Sequence, residues 1–318
     1  MLTTLAILLL VSCSLLICAS KPNSREHLAA THKSDECNIA VLTSCTDALS
    51  YFPHSPFILR SLTNHSHFTS LTTQEALLAR LSSSPITLAS ANTYSHDRRT
   101  VPFNAYLASL TSSAVSLNAS ANDTWYFFGD HDDPTTSSTP LATLLTHYPI
   151  PPLYYGQSDC DSGTGYSVVD QPPSRYEMRL SFGLGGRYSG TPFHYHSSVF
   201  AHVLHGRKRW LLYPPSHLPP AAIVRPHMSA IQWLDEMWRG GGVDVESDSG
   251  GSVGSVRDGV LGCVCDAGDV LYLPDGWLHM TLNMEEYNVF VSSFVYDKGE
   301  DWEERERQWK SVYGTVQH

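Results

Sequence analysis

A succession of short strand-like runs after Ser174 limits the folds open to this chain more than any other feature of the sequence. The runs are rich in β-branched and aromatic residues, and turn residues such as Gly185-Gly186 and Pro274-Asp275-Gly276 separate them. Many short strands at close spacing predict a β-sandwich or a β-barrel. Strands are predicted at residues 176–184, 192–196, 199–205, 208–213, 270–273, 278–282 and 289–296.

The region before these runs, residues 37–174, alternates helical and extended signals. Thr72 and Glu75 have the spacing of a capping box at the start of one helix, and Pro149 ends another. We expect this region to pack against the barrel as part of one domain. It is predicted to contain helices at 76–81, 102–110 and 141–148 and a strand at 125–128.

The predicted barrel core, residues 175–298, contains an insertion at residues 215–258. The insertion begins with an amphipathic helical pattern at 227–238 and continues with a Gly-, Ser- and Asp-rich run at 240–254, which we expect to be a mobile surface loop. Residues 299–318 have the pattern of a charged helical tail. The sequence leaves the oligomeric state open.

An apolar run from Leu2 to Ala19 occupies the N-terminus, and the first charged residue is Lys21. The small residues at 18–20 suit a cleavage site, so residues 1–20 are predicted to be a signal peptide. The run is also near the minimum length for crossing a bilayer, so an uncleaved membrane anchor through residues 2–19 is the main alternative, and a buried helix is a third. The first two alternatives place the rest of the chain, beginning with a flexible segment at 21–36, outside the cytosol.

Three glycosylation sequons agree with that placement, at Asn64, Asn118 and Asn122. Five cysteines follow the leader, an odd number, so at least one is free or paired between chains if the protein is oxidised. One bridge from the N-terminal segment to a distant part of the chain is an option that spacing cannot decide. The five are Cys37, Cys45, Cys160, Cys263 and Cys265.

The charge balance is acidic, with 31 Asp and Glu against 20 Lys and Arg and a net charge of −11. This balance argues against a nucleic acid bound through its phosphates. Together with the predicted leader, it leaves a protein partner or substrate in the secretory pathway as our expectation.

Three histidines are the candidate metal ligands of this sequence. His194 and His196 are two residues apart on a predicted strand, so their side chains project to the same side. His279, on a distant predicted strand, would complete a set of three nitrogen donors, which suits Fe(II), Zn or Cu. The chain contains 16 histidines, so an accidental His-x-His pair is the alternative.

Three ordered blocks of sequence resemble the JmjC branch of the cupin superfamily. They are Thr-Pro-Phe-His-Tyr-His at 191–196, Gly-Arg-Lys-Arg-Trp-Leu-Leu-Tyr-Pro-Pro at 206–215, and Ala-Gly-Asp-Val-Leu-Tyr-Leu-Pro-Asp-Gly-Trp-Leu-His at 267–279. The resemblance covers residues 37–296 and is strongest to an endoplasmic-reticulum member of the family. It implies a mainly β chain with flanking helices (α+β), built on a double-stranded β-helix, the jelly-roll barrel of cupins.

The resemblance also implies a chemistry, because most JmjC proteins are Fe(II)- and 2-oxoglutarate-dependent oxygenases. His194 and His279 match the two histidine ligands of the metal in that family. Lys208 matches a lysine that pairs with the distal carboxylate of 2-oxoglutarate, and Thr191 matches a hydroxyl that bonds the same group. The alternative for Lys208 is a solvated residue in a basic turn, Arg207-Lys208-Arg209. No residue is assigned a catalytic role.

Position 196 departs from the family pattern, in which an Asp or Glu carboxylate is the third metal ligand. Two main hypotheses follow. The chain is either a protein hydroxylase with an atypical three-histidine site, or a catalytically inactive JmjC protein that serves as an interaction scaffold. A third is a cupin that only binds a metal or small ligand. The endoplasmic reticulum lumen is the predicted location; a secreted protein and an anchored protein facing the lumen are alternatives.

Overall fold

The computed structural model describes residues 37–60, 65–91, 97–112, 124–128, 139–158, 165–225, 228–238 and 255–301, together with residues 303, 304, 307 and 308. Residues 37–318 form one compact unit. No helix among the described residues is long and apolar enough to cross a membrane. Several predicted features lie outside the described residues: the leader, the segment 21–36, Asn64, Asn118, Asn122, the run 240–254 and most of the tail.

Strands predominate in the C-terminal part of the described chain, and helices are concentrated before Tyr176. The strands are β1 (Ala40–Leu42), β2 (Phe57–Leu59), β3 (Pro85–Ser90), β4 (Arg98–Pro102), β5 (Trp125–Phe128), β6 (Tyr176–Gly185), β7 (Val199–His205), β8 (Arg207–Tyr213), β9 (Leu261–Asp266), β10 (Val270–Leu273), β11 (Leu278–Asn283) and β12 (Asn288–Asp297). The α-helices are α1 (Cys45–Tyr51), α2 (Ser66–Leu71), α3 (Gln74–Leu81), α4 (Phe103–Ser112), α5 (Pro140–Leu145), α6 (Ala221–Val224) and α7 (Ala230–Trp233). Pro152–Tyr155 form a 3-10 turn, and Leu234–Trp238 a π-helical turn that follows α7.

Two sheets make up the barrel. The large sheet has the order β1-β2-β10-β7-β12-β6-β5-β3-β4, and the small sheet has the order β11-β8-β9. Side chains of β7 and β10 in the large sheet pack in one apolar cluster with side chains of β8 and β9 in the small sheet. The two sheets therefore close over a shared interior, which is the double-stranded β-helix expected of a cupin.

Both faces of β7 are buried, which explains its almost continuous apolar sequence. Val199, Ala201 and Val203 face the barrel interior. Phe200 and Leu204 face the opposite side, in a second apolar cluster with residues of the N-terminal helices. The N-terminal elements thus cover the outer face of the large sheet.

The predicted strand at 192–196 is wrong as a regular strand. Only His194 makes a bridge there, an isolated antiparallel pair with His279. The remaining residues form an irregular segment, in which Pro192 has no N–H to donate to a ladder.

Most other predicted strands are confirmed to within two residues, but β9 was missed. Its Gly262 and its two cysteines weaken the alternation of apolar and polar residues that marks a strand.

Helix boundaries in the N-terminal region differ from the predictions by a few residues. Thr73, and not Thr72, caps α3, since its hydroxyl accepts a hydrogen bond from the backbone N–H of Ala76 at 3.2 Å. The hydroxyl of Thr72 instead donates to the carbonyl of Thr69 at 3.0 Å. The short strands β1–β4 were not predicted individually, because runs of three to six residues carry little periodic signal.

A disulfide between Cys37 and Cys263 ties the start of the compact unit to β9, across 226 residues of sequence. The neighbouring Asn38 reinforces this contact, because its amide donates to the carbonyl of Val260 and accepts from the N–H of Gly262. Cys45 is also disulfide-bonded, and Cys265 is a buried free thiol. The expectation of at least one unpaired cysteine is therefore confirmed at Cys265.

A cluster of two histidines and a tyrosine is buried where the N-terminal elements meet the outer face of β7. The hydroxyl of Tyr148 lies 3.1 Å from Nδ1 of His202, and the ring centroids of His65 and His202 are 4.4 Å apart. Nε2 of His65 lies 2.9 Å from the carbonyl oxygen of Pro149. Burial, with a smaller contribution from His65, holds the pKa of His202 well below its usual value. His202 is therefore neutral in the folded protein at neutral pH.

This cluster predicts a loss of stability in acid. In the unfolded chain a histidine takes up a proton below pH about 6.5, whereas folded His202 does not, so the free energy of unfolding falls as the pH drops below that value. The His202→Phe variant should lose less stability between pH 7.5 and pH 5 than the wild type, by about 2 kcal/mol. Urea unfolding at several pH values measures both slopes. The exposed His67, changed to Asn, is the control and should keep the wild-type slope. Equal slopes for wild type and His202→Phe would contradict the prediction.

Candidate metal centre

The three candidate ligands come from two segments that hydrogen bonds hold side by side. The backbone N–H of His194 donates to the carbonyl of His279 at 2.9 Å, and the N–H of His279 donates back to His194 at 2.8 Å. The same segment continues along β11, where the N–H of Thr281 donates to the carbonyl of Thr191. Gly190 permits this close approach, because a Cβ there would overlap the carbonyl oxygen of Thr281.

The imidazole rings of His194, His196 and His279 converge. Their ring centroids are 4.1 Å apart for His194 and His279, 4.6 Å for His196 and His279, and 5.4 Å for His194 and His196. One nitrogen atom from each ring lies within 4.8 Å of the other two. The His-x-His pair and the distant histidine therefore form one cluster, as predicted.

Each ring is oriented by a backbone carbonyl. Nδ1 of His194 lies 2.7 Å from the carbonyl oxygen of Pro192, Nδ1 of His196 lies 2.7 Å from that of Ser197, and Nδ1 of His279 lies 2.8 Å from that of Trp277. A carbonyl only accepts hydrogen bonds, so Nδ1 carries the proton in all three rings and Nε2 is the basic nitrogen. Three oriented imidazoles, with one nitrogen of each within 4.8 Å of the others, could hold a divalent transition metal.

Two of the three rings are also kept neutral. Burial and the neighbouring His196 lower the pKa of His194 to about 3. Burial, followed by His194 and His196, holds the pKa of His279 well below its usual value. Because neutral imidazole is the form that binds metals, protons do not compete for these two nitrogens at neutral pH.

A cavity of about 230 Å³ adjoins the three histidines. Lys208 and Thr191, the predicted co-substrate residues, both line it, so the structure brings the predicted site residues together. Asn283 lies directly across from Lys208 in the pairing of β11 with β8. The other lining residues are Tyr126, Phe128, Gly190, Tyr195, Val199, Trp210, Thr281, Phe290, Ser292 and Phe294.

Lys208 is a buried cation, which rules out the alternative of a solvated turn residue. Its side chain is on β8 and the residue is 5% exposed. Its Nζ lies 3.5 Å from the ring centroid of Phe290, and no carboxylate among the described residues lies within ion-pair distance of it. Burial lowers its pKa from 10.5 to about 7. An anion bound beside Nζ would restore the charged form and compensate its desolvation.

The position of Phe290 over Lys208 depends on a glycine. Gly183 of β6 is the cross-strand partner of Phe290 of β12. A Cβ at Gly183 would overlap the phenyl ring. The missing side chain therefore lets the ring lie across β6 and cover the lysine.

Two further polar groups of the cavity were not found from the sequence. Nε1 of Trp210 and Oδ1 of Asn283 are buried and have no hydrogen-bond partner among the described residues. Buried polar atoms are rarely left unsatisfied, and both residues line the cavity. Lys208 and Trp210 are two residues apart on a predicted strand, so the sequence alone could have shown that their side chains lie on the same face of that strand.

The burial of Lys208 predicts that replacing it stabilises the protein. The folded state binds the lysine proton less tightly than the unfolded chain does. The buried lysine therefore lowers the free energy of unfolding below pH 7, and this effect disappears as the pH rises towards 10.5. Lys208→Met should raise the free energy of unfolding at pH 7 by about 1–3 kcal/mol, and by less at pH 9. Urea unfolding of the metal-free protein measures this change. Arg207→Met is the control on the same strand, since Arg207 is partly exposed and pairs with Asp266 at 2.8 Å. A loss of stability in Lys208→Met would contradict the prediction.

Comparisons with known proteins agree with the fold. A family model described as a cupin-like domain matches residues 50–301. JmjC domain-containing protein 8 of Mus musculus is 32% identical over 278 residues, covering 86% of this chain and 88% of that protein. The Homo sapiens protein of the same name is 32% identical, covering 84% of this chain and 86% of that protein. A shorter match, 29% identical, joins 35% of this chain to 22% of the arginine-specific demethylase JMJ22 of Arabidopsis thaliana. The chain therefore belongs to the JmjC family of cupin-like proteins.

Proposed function

We propose that this chain is an Fe(II)- and 2-oxoglutarate-dependent protein hydroxylase of the endoplasmic reticulum lumen. The observation that carries the proposal is the shared cavity, which is lined by three oriented imidazoles and by the buried Lys208. No carboxylate in the described part of the chain forms an ion pair with Lys208. A metal-binding cupin without a co-substrate would have no use for a buried cation beside the metal. The family supplies the choice of co-substrate, since 2-oxoglutarate is a dianion that binds both a metal and a fixed cation.

The residues present fit both groups. His194, His196 and His279 would hold Fe(II) through Nε2, because carbonyls occupy Nδ1 of each ring. Three nitrogen donors on one side leave open coordination positions, which oxygenase chemistry needs. When bound, the iron would activate dioxygen, which is the oxidant, and the co-substrate would supply two electrons through its oxidative decarboxylation.

The chain itself orients the co-substrate and keeps water away from it. Lys208 Nζ would pair with the distal carboxylate, and Thr191, with its hydroxyl at the cavity wall, would add a hydrogen bond. The indole N–H of Trp210, which has no hydrogen-bond partner among the described residues, would be a further donor. Phe290 and Phe294 form an apolar part of the wall, which strengthens the pairing of the carboxylate with Lys208.

The proposed substrate is a protein side chain. The name of the Arabidopsis relative states that it is an arginine-specific demethylase, so oxidation of basic side chains is a chemistry to test first. The acidic net charge of this chain, −11, favours encounter with basic protein segments.

His196 favours a second candidate function, a scaffold without turnover. An imidazole in place of the family carboxylate makes an Fe(II) centre one charge unit more positive and removes an anionic ligand. Under this alternative the JmjC fold binds a protein partner, and the cavity is a remnant or a structural site.

The first prediction separates the two candidates. Anaerobic addition of Fe(II) and 2-oxoglutarate to the folded protein should produce the visible charge-transfer band of a chelated complex, with saturable intensity. His194→Ala should abolish the band because it removes a ligand, and Lys208→Ala should weaken 2-oxoglutarate binding about 10–100-fold because it removes the cation.

The matched control for this titration is His217→Ala, which removes an exposed histidine outside the cavity and should leave the band unchanged. Circular dichroism of each variant checks that it is folded. Absence of a band in the folded wild type would exclude the proposed co-substrate complex and favour the scaffold.

Three features support the luminal location. The leader has the pattern of a signal peptide, three sequons follow it, and Cys37–Cys263 is a disulfide, a bond typical of oxidising compartments. Endoglycosidase H treatment of the full chain expressed in animal cells should increase its electrophoretic mobility. The triple Asn→Gln variant at positions 64, 118 and 122 should show no such shift. A wild-type chain that does not shift and is digested by protease outside intact microsomes would contradict this location.

A further inference from the structure

The side chain of Lys208 ends against the face of an aromatic ring. Its Nζ lies 3.5 Å from the ring centroid of Phe290, a distance that only an approach over the face allows, because the ring hydrogens keep an atom in the ring plane farther away. Lys208 is 5% exposed and Phe290 is 6% exposed, so little water reaches the contact. The electron-rich face of a ring attracts a cation, most strongly where both groups are desolvated. Phe290 therefore stabilises the ammonium form of Lys208.

The backbone around Phe290 places the ring over the lysine. Gly183, its cross-strand partner on β6, leaves the space that the ring occupies, since a Cβ there would overlap it. The pairing of β12 with β7 shifts register between Val289 and Phe290, and irregularities of this kind redirect a side chain. The ring of Phe128 lies beside it, with centroids 5.6 Å apart. The position of the ring is thus fixed by two neighbouring strands and by a second ring, and not by the lysine alone.

The ring acts on the charge of the lysine as well as on its position. Burial lowers the pKa of Lys208 from 10.5 to about 7, and a ring face against the ammonium acts in the opposite direction. A lysine in this range is only partly charged at neutral pH, so a modest attraction changes its charged fraction. Only the charged form pairs with an anion. A fixed Nζ also loses less side-chain freedom when an anion binds.

We propose that Phe290 is a positioning residue for Lys208, whose ring face holds the ammonium in place and charged in the empty cavity, where an anionic group can pair with it. Gly183 provides the space that this arrangement needs. The contact of the ring with the ammonium is independent of any ligand, whereas its role towards a dicarboxylate rests on the proposed function. An ordinary apolar wall residue would fill the same space without acting on the charge.

The test changes the charge distribution of the ring and nearly keeps its shape. Phenylalanines with one, two or three fluorine atoms on the ring are introduced at position 290, because fluorine withdraws electrons from the ring face. The chain contains five lysines, so ¹³C-labelled lysine gives few NMR signals, and Lys208→Arg identifies the signal of Lys208. In the metal-free and ligand-free protein, fluorination should lower the pKa of Lys208 stepwise, by roughly one pH unit with three fluorines.

A second NMR signature and a matched control accompany this titration. The ε-methylene protons of Lys208 should resonate upfield in the native protein because they lie over the ring, and Gly183→Ala should remove that shift by displacing the ring. Fluorination of Phe57, fully buried in the apolar cluster outside the barrel, should leave the pKa of Lys208 unchanged. Circular dichroism checks that each variant is folded. A pKa of Lys208 that stays the same throughout the Phe290 series would overturn the inference.

The role towards a dicarboxylate is measured separately, through the charge-transfer band with Fe(II). The affinity for 2-oxoglutarate should be the same at pH 6 in the native protein and in the trifluorinated variant. At pH 8 the variant should bind about 10-fold more weakly, because more of its Lys208 is neutral. Equal affinities at both pH values, in spite of a lowered pKa of Lys208, would overturn that role. If no band forms but fluorination lowers the pKa of Lys208, the proposed function is wrong and the positioning of Lys208 by Phe290 stands.

Discussion

The pair of backbone hydrogen bonds between His194 and His279 is the interaction on which the candidate site depends. It joins an irregular segment to β11 and sets the distance between two of the three imidazoles. The contact of Thr191 with Thr281 extends the same pairing, and Gly190 makes room for it. The side chains of an irregular segment are held as firmly as those of a strand because a neighbouring strand satisfies its backbone.

The site combines preorganisation with a cost in stability. The carbonyls that accept from Nδ1 of the histidines come from nearby residues in the chain, so the Nε2 atoms are directed before any metal arrives. Lys208, in contrast, is buried with no carboxylate of the described residues at ion-pair distance, which is unfavourable for its charged form. The proposed anionic co-substrate would offset that cost by pairing with Lys208.

The N-terminal elements contribute to the site indirectly. They cover the outer face of the large sheet, so that β7 is buried on both sides and presents Val199 to the cavity from a rigid position. The Cys37–Cys263 disulfide ties the start of this layer to β9 in the small sheet. β9 in turn pairs with β8, which carries Lys208. The disulfide and the packing of the large sheet therefore join the N-terminal elements to the barrel strands that carry the site.

The sequence by itself determined most of the barrel strands, because strand periodicity is a local pattern, and it indicated the family through three ordered blocks that resemble JmjC proteins. The three histidines were candidates from their spacing and from that resemblance. Confirmation of the cluster came from the structure, which also corrected the strand at 192–196 and added β9. Only the tertiary structure decided that Lys208 is buried with no carboxylate of the described residues at ion-pair distance, and that Trp210 and Asn283 line the same cavity. The partner of Cys37 was decided in the same way. These properties depend on the register between strands distant in sequence and on what the other sheet places opposite each residue, and neither is a local property of the chain.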